Sequence, residues 1–199
     1  MYKPKILAFA GSLRKGSFNK LLLKAAIKGA EEAGATVTFV DLYDYPLPVY
    51  SEDLEAKEGL PENVLKLKEM MWKSDGFLIS SPEYNSGISG VLKNMIDWTS
   101  RKAKPDEVYL SCFIDKVAVL MSASPGDLGG LRGLVQLRSI LENIYTIVLP
   151  SQKTLPQAHQ AFDSEGHFKN TELGKTFEEL GKKLAQTIIK LKEETLVRH

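Results

Sequence analysis

The chain has 199 residues, is 43% hydrophobic, and carries a formal charge of +1 from 26 Lys+Arg against 25 Asp+Glu. That length fits one domain, residues 1–199, with a sizeable core, and the charge balance argues against nucleic-acid or membrane-surface binding driven by net charge. A single cysteine, Cys112, excludes an intrachain disulfide, and no apolar stretch has the length of a signal peptide or membrane span, so the chain reads as a soluble cytoplasmic protein.

The first element is a short apolar run, residues 6–10 (ILAFA), as expected of a strand buried on both faces. A helix is predicted over 19–33, with Leu22, Ala25, Ala26, Gly29 and Ala33 on one face and Gly34 as its stop. Between them lies GSLRKGSF at 11–18. A strand, a loop of Gly and hydroxyl residues, and a helix start describe an anion site, because the helix N-terminus offers unpaired N–H groups and partial positive charge. Ser12 and Ser17 add hydroxyl donors, and Arg14 adds a fixed charge suited to bidentate phosphate binding. Neither the G-x-G-x-x-G dinucleotide fingerprint nor Walker A is present, since Ser17 follows Gly16 with no lysine between. Side-chain donors in place of bare glycine suit a terminal phosphate monoester. An ordinary turn with a capping serine also fits this stretch taken alone.

A second strand is predicted at 36–41 (TVTFVD), then a long loop at 42–61 with Pro46, Pro48 and Pro61 among Tyr43, Tyr45 and Tyr50. A helix at 62–73 turns Val64, Leu67, Met70 and Met71 inward, and a third strand follows at 76–80 (GFLIS). Next comes SPEYNSGISG at 81–90. Pro82 fixes φ and removes a donor, Asn85 and Gly87 tolerate unusual backbone angles, and Tyr84 is placed to cover a flat heterocycle or cap its pocket. Ser89 reads as the N-cap of a helix at 89–101; a plain turn plus cap is the alternative.

A fourth strand is predicted at 116–121, followed by SASPGDLGG at 122–130, where Ser122, Ser124 and Gly126 precede a helix at 129–143. That helix start is expected to stabilise negative charge on a bound ring; a merely connecting loop is the alternative. A fifth strand at 145–149, a second long loop at 150–170 and a helix at 171–197 complete the chain. Apolar strands alternating with amphipathic helices predict an α/β fold: a doubly wound parallel sheet of about five strands, order 2-1-3-4-5, with helices on both faces. Ligands bind such sheets beyond the strands' carboxyl ends, where the loops after strands one, three and four converge.

On the 129–143 helix, Leu131, Leu134, Val135, Leu137, Ile140, Leu141 and the following Ile144 cover about 220° of arc, where one sheet face needs roughly 100°. The excess predicts a partner surface and a homodimer, unless the monomer covers the whole helix. Arg138 and Glu142 interrupt the arc at i,i+4 and are spaced to pair with each other. Cys112 reads as an apolar filler, and His159, His167 and His199 as surface residues; no catalytic triad or metal cluster is evident.

Three segments together carry a resemblance: GSLRKGSFN at 11–19, SPEYN at 81–85 with GVLKNMIDW at 90–98, and SPGDLGGLRGLVQLR at 124–138. They resemble the NADPH-dependent FMN reductase family, a flavodoxin-like group that includes quinone, chromate and azo-dye reductases. The resemblance runs from residue 5 to about 149. It implies that Ser12, Arg14, Ser17, Phe18 and Asn19 hold the FMN phosphate. It places Pro82, Glu83, Tyr84 and Asn85 along the ribityl chain and isoalloxazine, and Ser122, Ser124 and Gly126 facing the ring. It further implies NADPH or NADH as hydride donor, ping-pong transfer through flavin N5 to quinone-type acceptors with chromate and azo compounds as incidental sinks, and a homodimer or homotetramer. Glu83 is expected to shape its loop, since hydride transfer to flavin needs no protein acid. Ser89 stands where many relatives carry proline, and residues 102–116 are longer than the usual connection. A flavodoxin-type one-electron carrier and a flavin-free interaction protein are the rival readings; such carriers are usually strongly acidic, which a charge of +1 is not.

Overall fold

The computed structural model describes residues 2–197, with side chains through residue 194; His199 lies outside the described residues. Strand β1 (Lys5–Ala10) runs parallel to β2 (Thr36–Val40) on one side and β3 (Gly76–Ser80) on the other, with Ala8 opposite Phe39 and Leu78. The short strands β4 (Glu83–Tyr84) and β5 (Gly87–Ile88) form a separate hairpin. Strand β6 (Val117–Ala123) pairs parallel with β3, and β7 (Ile147–Leu155) closes the edge, for a five-stranded order β2-β1-β3-β6-β7. With the hairpin set aside, this is the expected 2-1-3-4-5 order.

The central strands β1, β3 and β6 are buried along nearly their whole length because the sheet is covered on both faces, whereas edge strand β2 is largely exposed. Ile6, Ala8, Ala10, Leu78, Val119 and Met121 pack on the side of α1 (Phe18–Glu32) and α7 (Thr171–Val197). Leu7, Phe9, Phe77, Ile79, Ala118 and Leu120 face α3 (Glu62–Trp72), α4 (Gly90–Thr99) and α5 (Leu131–Asn143). Helices α1 and α7 touch through backbone. A Cβ on Gly29 would lie 1.9 Å from the Glu178 carbonyl oxygen, and one on Gly181 would lie 1.8 Å from that of Ala26.

Two long segments differ from expectation. Residues 42–61 contain a 3₁₀ turn at Leu42–Asp44 and a helix, α2 (Glu52–Glu58), whose Leu54 N–H is capped by the Ser51 hydroxyl. This segment is pinned to α4: Tyr50 N–H donates to Asn94 Oδ1, while Asn94 Nδ2 and Trp98 Nε1 both donate to the Pro48 carbonyl, all at 2.8 Å. Strand β7 does not stop at 149 but continues to Leu155. The register passes from Ala118 opposite Val148 to Leu120 opposite Gln152, so the extra residues, Pro150 among them, bulge out of the ladder. Arg138 braces this bulge, donating to the carbonyls of Val148 at 3.1 Å and Leu149 at 2.7 Å and to Gln152 Oε1 at 2.9 Å. Its expected partner Glu142 accepts only a 3.3 Å contact. The rest of the expected loop holds a one-turn helix, α6 (Ala158–Ala161).

The long 102–116 connection is held from below. Lys68, buried on α3, donates to the carbonyls of Thr99 at 3.1 Å and Arg101 at 2.5 Å and to Glu107 at 2.8 Å. Burial pushes the Cys112 thiol up to about 11, which fits a packed filler and not a nucleophile.

Candidate functional site

The carboxyl ends of β1, β3 and β6 are stitched together. Gly11 N–H donates to the Ser80 carbonyl at 2.8 Å, and Ser81 N–H to the Met121 carbonyl at 3.0 Å. Gly11 cannot carry a side chain there, because a Cβ would meet the Ser89 hydroxyl at 2.9 Å and Leu92 Cβ at 3.0 Å. Ser89 itself caps α4, accepting from Leu92 N–H at 3.3 Å, as its position in the sequence predicts.

Above this seam lies a cleft of about 310 Å³, lined by Ser12, Arg14, Ser17, Phe18, Asn19, Pro82, Glu83, Tyr84, Ala123, Ser124 and Pro125. All three expected loops therefore contribute. Ser12 and Ser17 are nearly buried, yet among the described residues neither hydroxyl has a hydrogen-bond partner, and Ser17 does not cap its own helix with its side chain. The N–H groups of Phe18 and Asn19, at the start of α1, meet no protein acceptor among the described residues. Among the described residues Arg14 has no carboxylate partner, and it lays its guanidinium over the Phe18 ring, 5.0 Å from the centroid. The donors at this end of the cleft are thus assembled and unspent.

Three of the expected site residues lie outside the lining, and a fourth, Asn19, lines the cleft while also bracing it. Asn19 is a strut: Nδ2 donates to the Ala123 carbonyl, and Oδ1 accepts from Ala123 N–H and the Ser80 hydroxyl, each at 2.9 Å. Its carboxamide oxygen already carries two hydrogen bonds, so what Asn19 offers the cleft is its backbone N–H. Ser122 does not line the cleft. It is completely buried, its hydroxyl has no partner among the described residues, and a Cβ on Gly130 would collide with that oxygen. Asn85 sits at the exposed hairpin tip at φ 51°, supplying the turn between β4 and β5 and not the wall. Gly126 also falls outside the lining; its N–H donates to the Ser124 hydroxyl at 3.1 Å and shapes that turn.

The start of α5 meets a carboxylate of the protein itself. Glu83 fills it: Oε2 accepts from Gly133 N–H at 3.1 Å, and Oε1 accepts from Arg132 Nε at 2.8 Å. Burial works against this carboxylate, but the Gly133 N–H and the Arg132 guanidinium outweigh it and hold its pKa below the ordinary value. A second clasp, Ile88 N–H to Gln136 Oε1 at 2.8 Å, fixes the hairpin on the same helix. Tyr84 is left 59% exposed at the mouth of the cleft. Ala123 and Pro125 line the cleft without having been expected; they lie between expected residues, and the run SASPG was the available signal.

Two larger hollows exist, of about 460 and 550 Å³. One lies between the 42–47 segment and α4, the other between α1 and the start of α7, and neither draws on all three strand ends. Among the described residues, no group of three His, Cys, Asp or Glu is placed to hold a metal, and no helix is long and apolar enough to cross a membrane.

The sequence pattern of NADPH-dependent FMN reductases matches residues 4–160. A probable NADPH:quinone oxidoreductase 2 of Oryza sativa subsp. japonica is 35% identical over 174 residues, covering 85% of this chain and 81% of the relative. An NAD(P)H-dependent FMN reductase of Pseudomonas aeruginosa is 37% identical over 165 residues, covering 81% and 83%. Among solved structures, FerB of Paracoccus denitrificans, described as a flavoenzyme NAD(P)H:(acceptor) oxidoreductase, superposes with a TM-score of 0.78 at 30% identity over 94% of this chain and 98% of that one.

Proposed function

Because the chain belongs to the NADPH-dependent FMN reductase family, we propose that its three-loop cleft holds FMN, phosphate first, and serves NAD(P)H-dependent reduction of quinone-type acceptors. One observation supports the reading: two near-buried hydroxyls, two helix-start N–H groups and one guanidinium belong to residues that line the cleft, and among the described residues none of them is spent on a protein acceptor. That donor set fits a phosphate dianion, so the residues present fit the group.

In this reading Ser12 and Ser17 donate their hydroxyl protons to phosphate oxygens, and the guanidinium of Arg14 supplies charge-assisted bonds. Pro82, Tyr84 and Pro125 give apolar walls, and the exposed ring of Tyr84 screens the cleft mouth from water. Asn19 keeps the second and third loops at a fixed separation from the first. Bound FMN would supply the redox chemistry, taking hydride at N5 from NAD(P)H and passing it to the acceptor in ping-pong order. Glu83 contributes no proton, since Arg132 and Gly133 hold it as a carboxylate at neutral pH. The exposed apolar side chains of Leu131 (42%) and Val135 (60%) on α5 support a homodimer or homotetramer through that face. Initial rates measured against NADPH at several quinone concentrations test the order: parallel double-reciprocal lines support ping-pong transfer, and intersecting lines refute it.

A further inference from the structure

The guanidinium of Arg14 does not rest on Phe18 alone. The Phe18 ring stacks on Phe162 at 6.2 Å between centroids and 6° between planes. Phe162 meets Phe168 at 4.5 Å, and Phe168 stacks on Phe177 at 5.7 Å and 11°. Four aromatic rings therefore run from the buried face of α7, where Phe177 is 1% exposed, to the mouth of the first loop. Phe162, Phe168 and Phe177 lie beyond the stretch that carries the family resemblance.

The two middle rings are carried by a stiff turn. Phe162 and Phe168 face each other across an isolated antiparallel bridge. Within the turn, Asp163 Oδ1 accepts from the N–H groups of Glu165 and His167, both at 2.9 Å, and Gly166 adopts φ 86° to close it. Gly174 leaves the space that Phe168 occupies, since a Cβ there would lie 3.2 Å from its ring. The turn is thus fixed on α7, and α7 is fixed on α1 through Gly29 and Gly181.

We infer that Phe162 is a positioning residue for the phosphate grip: backed by Phe168, it holds the Phe18 ring in the plane on which Arg14 lies, so the 162–168 turn pre-sets Arg14 for a phosphate monoester. An arginine free in solution loses rotamer freedom when it captures an anion, and a ring that holds the guanidinium beforehand reduces that loss. The effect acts on the phosphate and not on the isoalloxazine. The inference rests on the assignment of this end of the cleft to FMN phosphate.

The test compares binding of FMN with binding of riboflavin, which lacks the phosphate, to the full chain stripped of flavin, by quenching of flavin fluorescence. Arg14→Ala reads the assignment itself and lowers the preference for FMN roughly tenfold. Phe162→Leu, which keeps apolar volume but removes the ring, lowers that preference roughly threefold with riboflavin affinity unchanged. Phe168→Leu, one rung further back, gives a smaller change in the same direction and serves if Phe162→Leu does not fold. A preference that falls in Arg14→Ala but stays at the wild-type value in both ring variants, or ring variants that weaken FMN and riboflavin equally, overturns the inference and leaves the phosphate site standing. An Arg14→Ala variant with the wild-type preference overturns both.

Discussion

The side-chain amide of Asn19 and the backbone of Ala123 exchange two hydrogen bonds, Nδ2 to the carbonyl and N–H to Oδ1, each at 2.9 Å across 104 positions of sequence. This pair joins the start of α1 to the end of β6, and the Ser80 hydroxyl adds the end of β3 on the same oxygen. Asn19→Ala leaves an N–H, a carbonyl and a hydroxyl unsatisfied in a buried place. Its expected cost is about 2–4 kcal/mol of stability, read from urea unfolding. FMN affinity falls with it, because the three loops lose their common strut.

Glu83 makes stability depend on pH. Its folded pKa is held below the ordinary glutamate value, so at intermediate pH the unfolded chain binds more protons than the native one. The stabilisation is therefore present at neutral pH and is lost as pH falls through the folded pKa. Glu83→Gln has no such titration. The stability gap between wild type and variant, measured in urea, is expected to shrink between pH 7 and pH 3; a gap that stays constant shows that the carboxylate's charge contributes nothing.

Lys68 and Glu107 form an ion pair whose side chains are 1% and 10% exposed. Removing one partner strands the other charge. Lys68→Met is expected to cost about 3–5 kcal/mol, and the double variant Lys68→Met with Glu107→Leu less than that single change. Equilibrium unfolding of the three proteins checks the order, and it also reads how firmly the 102–116 connection is tied down.

The α5 face makes the assembly testable. Light scattering of the wild type at micromolar concentration is expected to give a multiple of 22.1 kDa, and Val135→Glu to move it toward that single mass. A wild type already at one chain mass removes the proposed interface.

The sheet order and the cleft were legible in the sequence for one reason: buried parallel strands are apolar throughout, and their loops must meet at one edge. The missed features are those that depend on distant partners. Pro150 reads as a strand end, and only Arg138 reaching back to the Val148 and Leu149 carbonyls lets the strand resume beyond it. The start of α5 reads as free for a ligand, because nothing in SPGDLGG announces a carboxylate arriving from residue 83. Asn19 has the chemistry of a phosphate ligand and the geometry of a strut, a distinction set by Ser80 and Ala123. The aromatic ladder is equally non-local, its rings spanning residues 18–177.

The measurement that bears most directly on the central claim is the visible spectrum of the protein reconstituted with FMN, followed anaerobically as NADPH is added and then a quinone. The account predicts a bound flavin band that bleaches with one equivalent of NADPH and returns with the quinone. A bound flavin that NADPH leaves oxidised, or a protein that binds no FMN, contradicts it.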